Sequence, residues 1–186
     1  MCKVFIIAGK TGAGKSTISE WLNSEYGFSV LSFSKIGKSF AKKYGKKRLR
    51  DCYLVLDPKE FKQLLIDEIT ESVNEAIIDT EVLVIDGLYS YDVISDIQNK
   101  CEIIVIYLQV NDITRYSRIS KRHDSGNFSA IIEDSIKEEI KQILGNDRIL
   151  ESADYVIDGS KPIELVKKAV YDIVSKELYS VEKRLQ

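Results

Sequence analysis

One eight-residue segment constrains this chain more than any other: Gly9-Lys10-Thr11-Gly12-Ala13-Gly14-Lys15-Ser16, the pattern G-x-x-x-x-G-K-S. It follows the apolar run Val4–Ala8 and opens an amphipathic segment, Lys15–Tyr26. A buried strand that passes into a helix through a glycine-rich turn commits the chain to an α/β architecture. Glycines let successive backbone N–H groups turn inward around an anion, and the helix N-terminus adds a favourable dipole.

The rest of the chain repeats that alternation. Further apolar runs lie at Ser29–Phe33, Val82–Ile85, Ile103–Leu108 and Tyr155–Ile157, rich in Val and Ile and without polar alternation, as expected of strands buried on both faces. Between them run helical patterns. In the longest, Pro58 to about Asp79, Phe61, Leu64, Leu65, Ile69, Val73, Ala76 and Ile77 share a face. The last starts at Pro162, with Ile163, Val166, Ala169, Val170 and Ile173 as its stripe. The order implies an α/β fold: a parallel five-stranded sheet with helices on both faces and ligands at the carboxyl ends of the strands. A chain of 186 residues without linker-like stretches suits one domain, 1–186. No apolar run approaches the roughly 20 residues of a membrane span. The first strand starts at Lys3, ahead of any room for a signal peptide, so a cytoplasmic protein is expected. The net charge of −2, with both signs interspersed, argues against a nucleic-acid partner. Cys2, Cys52 and Cys101 are widely spaced and the chain has a single histidine, so reduced structural thiols are expected and a zinc site is not.

The chemistry assigned to the loop is phosphate binding. Gly9, Lys10, Thr11, Gly12, Ala13, Gly14, Lys15, Ser16 and Thr17 form the nucleotide site, with ATP and Mg²⁺ as cofactors. Lys15 reaches the β- and γ-phosphates, the Ser16 hydroxyl ligates Mg²⁺, and Thr17 lies near the α-phosphate. A partner carboxylate is needed at the end of a neighbouring strand, and Asp86, in Val82-Leu83-Val84-Ile85-Asp86-Gly87, supplies it as a metal or acceptor-activating group. Asp57 and Asp79 lack a preceding buried strand. After the fourth strand, Arg115, Arg118 and Arg122 fall on one helix face. Guanidiniums so placed suit the charge that develops on a transferring phosphoryl group. Ser125–Phe128 reads as a polar loop with Gly126 as a hinge, and about 115–145 as a lid.

These segments together resemble the P-loop nucleotide kinases. Asp86-Gly87 after a buried strand resembles the D-G of nucleoside monophosphate kinases. Arg118-Ile119-x-x-Arg122 resembles the lid arginines of adenylate kinases, and Ser152-Ala153-Asp154-Tyr155-Val156-Ile157 resembles a stretch of dephospho-CoA kinases and their archaeal relatives. The resemblance implies the three-layer P-loop NTPase fold with a small helical lid. It makes Lys15, Asp86, Arg118 and Arg122 the catalytic set and Gly159, Ser160 and Lys161 contacts to the base. The acceptor half departs from those families. Leu88-Tyr89-Ser90 has no arginine where monophosphate kinases carry one, Ser32-Phe33-Ser34 replaces an acidic D-x-D, and Glu133-Asp134 stands where an R-D pair is expected.

The acceptor segment is expected within about 34–80. Ser34, Arg48, Arg50 and Tyr89 are the candidate contacts. The two arginines suit an acceptor phosphate, and Tyr89 and Phe33 suit a base or ordinary packing. The expected function is ATP-dependent phosphoryl transfer to a small nucleotide-like molecule of the nucleoside monophosphate or dephospho-CoA type, by a monomer or homodimer. A nucleotide-binding switch or ATPase, or a weakly catalytic relative kept for binding, stays open. The guanine-reading segment N-K-x-D of GTPases is absent.

Overall fold

A computed structural model describes residues 2–121 and 127–179, with only the helix itself described over 127–134. Five parallel strands form one sheet: β1 (Lys3–Ala8), β2 (Ser29–Ser32), β3 (Val82–Asp86), β4 (Glu102–Gln109) and β5 (Tyr155–Asp158), in the order β2-β3-β1-β4-β5. All five expected apolar runs are strands. The central strand β1 is buried along its whole length. Its side chains alternate between two cores. Val4, Ile6 and Ala8 face one side and Phe5 and Ile7 the other. Covering helices thus lie on both faces, as a parallel sheet requires.

The first core packs beneath α2 (Phe33–Lys43), α3 (Leu49–Tyr53), α4 (Pro58–Ile78), α5 (Tyr91–Ile97), α7 (Asn127–Ile143) and α8 (Asn146–Glu151). The second packs beneath α1 (Lys15–Tyr26) and α9 (Ile163–Tyr179). Helix α6 (Asp112–Ser120) follows β4. Helix α4 begins where its chemistry predicts. Pro58 sits in the first turn, and the Asp57 carboxylate accepts from the N–H groups of Lys59 and Glu60. Asp57 is therefore a helix cap.

Four expectations need correction. Strands β2 and β5 are sheet edges, so they are only partly buried: Ser29, Tyr155, Val156 and Asp158 are not shielded like β1. Phe33 opens α2 instead of ending β2. On α9, Val166 and Val170 are buried together with Val174, and Ala169 and Ile173 pack against the same core, while Ile163 is exposed. Asn127 and Phe128 belong to helix α7; the rest of the expected loop, Ser125 and Gly126, lies outside the described residues, as does the expected lid arginine Arg122. Among the described residues, no helix is long and apolar enough to cross a membrane, and all three cysteines are free thiols.

Candidate functional site

Strand order brings the site together. Strand β1 lies between β3 and β4, with Ile7 in register with Asp86 and Ala8 with Tyr107. Helix α1 therefore starts beside the carboxyl end of β3. There the Ser16 hydroxyl donates to Oδ2 of Asp86 at 2.8 Å. Gly9 turns the chain out of β1 at φ 140°, and a Cβ there would stand 2.6 Å from the Leu108 carbonyl oxygen. Only glycine fits so close to β4 in that conformation. Lys15 is buried and folds back over the loop, donating to the Lys10 carbonyl oxygen at 3.0 Å.

Asp86 is 8% exposed. Burial raises its pKa, partly offset by the Ser16 hydroxyl and the Lys15 ammonium. A buried carboxylate beside a hydroxyl is a hard-oxygen pair. It fits a cation such as Mg²⁺, which takes few protein ligands and keeps several waters. Among the described residues no cluster of three or more His, Cys, Asp or Glu exists to hold a different metal.

Helix α6 packs on the loop. Arg118 donates to the Gly12 carbonyl oxygen at 3.4 Å. Arg115 is 4% exposed, with its Nε on the Asp112 carboxylate at 3.2 Å and its guanidinium 4.3 Å from the Tyr116 ring centroid. It braces α6. On the far side, Gly159 donates to the Gln109 carbonyl oxygen at 2.8 Å, and a Cβ at 159 would lie 3.3 Å from the Ala13 carbonyl oxygen. Glycine there allows the β5 loop to touch the phosphate loop. The Ser160 hydroxyl accepts from Asn111, which caps α6 through Thr114. Lys161 instead lines a separate cavity of about 240 Å³ between β5 and α9. Asp154 ties β5 to β4, accepting from the Val105 N–H at 2.8 Å.

A cavity of about 540 Å³ opens from Thr11, Gly12, Lys15, Ser16 and Asp86 toward α2, α3 and α7. Ser34, Arg48, Arg50 and Tyr89, the expected acceptor contacts, all line it, joined by Phe33, Lys38, Lys47 and Leu49. Arg48 and Arg50 open α3, whose Asp51 carboxylate accepts from the Arg48 N–H at 3.1 Å and pairs with Arg50 at 3.5 Å. Helix α7 contributes Lys137, Ile140 and Lys141, none of which the motif reading found. Lys141 is 5% exposed and donates to Thr11 Oγ1 at 2.9 Å and to Glu138 Oε1 at 2.7 Å. Burial opposes the charge on Glu138, but Lys141, Thr11 and Arg115 outweigh it and hold that carboxyl below its usual pKa. The sequence signal was present: Lys137 and Lys141 are four residues apart and share a helix face.

Known proteins share the fold or part of the sequence of this chain. A "UPF0200 protein" of Staphylothermus marinus is 25% identical over 187 residues, spanning 93% of this chain and 92% of that protein. Shikimate kinase from Bacteroides thetaiotaomicron superposes with a TM-score of 0.65 at 12% identity, covering 93% of this chain and 98% of the other. Deoxyadenosine kinase from M. mycoides, solved with dCMP and dCDP, gives 0.56 at 19% identity, covering 93% and 99%. The fold is that of P-loop kinases, as the motifs implied. A family described as "AAA domain" matches residues 6–142, so the chain belongs to the AAA domain family, with the fold of a P-loop kinase.

Proposed function

We propose that this chain binds MgATP at Gly9–Thr17 and transfers its γ-phosphoryl group to a small anionic, nucleotide-like acceptor in the adjoining cavity. The observation that carries this reading is the lining of that cavity. Lys15, Lys38, Lys47, Arg48, Arg50, Lys137 and Lys141 face a single carboxylate, Asp86, among the described lining residues. A site needing only ATP would not extend cations from the phosphate loop to α3. A phosphate already on the acceptor gives Arg48 and Arg50 a partner suited to bidentate guanidinium contact.

In this reading Lys15 neutralises the terminal phosphates, Arg118 and Arg122 add charge to the transferring group, and Asp86 with Ser16 holds the cation. Ser16 and Asp86 would hold Mg²⁺, which would supply positive charge to offset that of the phosphates. Gly159 and Ser160 approach the nucleotide from the β5 side. Positioning and charge compensation carry most of the catalysis, since phosphoryl transfer needs little covalent help from the protein. The acceptor type, a nucleoside monophosphate or dephospho-CoA-like molecule, rests on the resemblance and on the cavity's charge. The fold does not choose it, because its neighbours include both a shikimate kinase and a deoxyadenosine kinase. A cytoplasmic monomer or homodimer acting without nucleic acid completes the proposal.

One observation favours the second reading, a nucleotide-binding switch or ATPase: the segment Leu88-Tyr89-Ser90 after Asp86-Gly87 has no arginine, where monophosphate kinases carry one for the acceptor. A coupled assay of ADP formation from MgATP with AMP, CMP, UMP, GMP and dephospho-CoA separates the two. Stimulation by one of these supports the kinase. Slow hydrolysis indifferent to all of them supports the switch.

A further inference from the structure

Two buried ammonium groups share one aromatic ring beside the phosphate loop. Lys141 Nζ lies 4.7 Å and Lys15 Nζ 5.6 Å from the Tyr89 ring centroid. The three residues are 5%, 9% and 5% exposed, respectively. Lysines this buried are rare, because an ammonium loses its hydration unless something replaces it. Lys141 is compensated by Glu138, by the Thr11 hydroxyl and by the ring face. Thr11 belongs to the phosphate loop, so the bond fixes Lys141 to the loop itself and not only to its own helix.

The ring is itself held in place. Phe33 meets it edge-on, with centroids 5.0 Å apart and planes at 84°. Behind it, its hydroxyl oxygen lies 2.9 Å from where a Cβ on Gly87 would sit. We propose that Tyr89 is a positioning residue whose ring face sets Lys15 and Lys141 as paired cations toward the terminal phosphate of ATP, with Lys141 making the second contact. This rests on the MgATP reading above. The ring offers the two ammonium groups its electron-rich face.

The test compares MgATP and MgADP affinity by calorimetry in the full chain, which needs no acceptor. If Lys141 contacts the terminal phosphate, Lys141→Gln lowers the preference for ATP over ADP about tenfold, the scale of one charge-assisted contact, and leaves ADP affinity within about twofold. Tyr89→Leu, which releases both lysines, is expected to lower the preference at least as far, Tyr89→Phe to keep the wild-type preference, and the double variant Tyr89→Leu/Lys141→Gln to lose no more than Tyr89→Leu alone. Tyr89→Met, closer in volume, replaces the leucine variant if thermal melts show that one unfolded. An unchanged preference in Lys141→Gln, a Tyr89→Phe variant as impaired as the leucine one, or additive losses in the double variant would each overturn the proposal. Wild-type protein that binds neither nucleotide removes the MgATP reading and this one with it. Wild-type binding with unaltered variants removes this one alone.

Discussion

At the residue scale, the site is a set of charges whose burial makes each depend on a partner. Burial raises the pKa of Asp86, and the Ser16 hydroxyl and the Lys15 ammonium offset part of the cost of desolvating its charge. Replacing it with asparagine keeps the shape and removes the negative charge. Asp86→Asn is therefore expected to abolish the Mg²⁺ dependence of ATP binding while leaving the melting temperature unchanged or raised, a result read by titration with and without the metal. Glu138 shows the opposite sign. Its folded pKa lies below the usual value of 4.5, so the folded state binds fewer protons than the unfolded chain between the two values. Its stabilisation is full above pH 4.5 and is lost as pH falls through the folded value. Urea denaturation of wild type and Glu138→Gln is expected to show the wild type more stable near neutral pH, with the gap closing in acid. A gap that stays constant with pH would contradict the Glu138–Lys141 pairing. Arg118→Ala is expected to lower turnover about 10²-fold, with far less effect on ATP affinity. Equal losses in both would make it a ground-state contact.

At the element scale, α4 supports the α2 and α3 wall of the cavity without lining it. Phe61 is fully buried and meets Phe40 of α2 and Tyr53 of α3 at centroid distances of 5.9 and 5.4 Å. Phe61→Ala is expected to cost about 3–5 kcal/mol of stability by denaturant titration and to raise the acceptor KM more than the ATP KM, because it loosens α2 and α3. Much of this level was legible in the sequence. The glycine loop, the strand before it and the helix after it are local patterns, and Asp86 is marked by the buried run that ends in it. What was hidden depends on neighbours distant in the chain. The exposure of Val156 follows from β5 having a single neighbour in the sheet, which no pattern within Tyr155–Asp158 records. Arg115 shares a face with Arg118 by spacing, yet its guanidinium turns to Asp112 and Tyr116. Lys141 meets the phosphate loop through Thr11, 130 positions away in the chain. The motif showed the cradle but not what leans over it.

At the scale of the molecule, the net charge of −2 conceals a strongly cationic cavity at the carboxyl edge of the sheet. The topology creates it. With β1 in the centre, α1 starts beside Asp86, while the chain between β2 and β3 folds as α2, α3 and α4 around one side of the opening. Helices α6 and α7 bring Arg118 and Lys141 to the phosphate loop. In the proposed function donor and acceptor share this one charged space, so filling the phosphate loop reduces the repulsion among the cations around it. MgATP at 100 times its Kd is expected to stabilise the fold by about 2.7 kcal/mol. The most direct test is calorimetric titration of ATP into the wild type and Lys15→Ala, each with and without Mg²⁺. Magnesium-dependent binding by the wild type, lost in a Lys15→Ala variant that still melts cooperatively, is the expected result. Undiminished binding by Lys15→Ala, or no ATP binding by the wild type with Mg²⁺ present, would contradict the assignment of Gly9–Ser16 as the phosphate site.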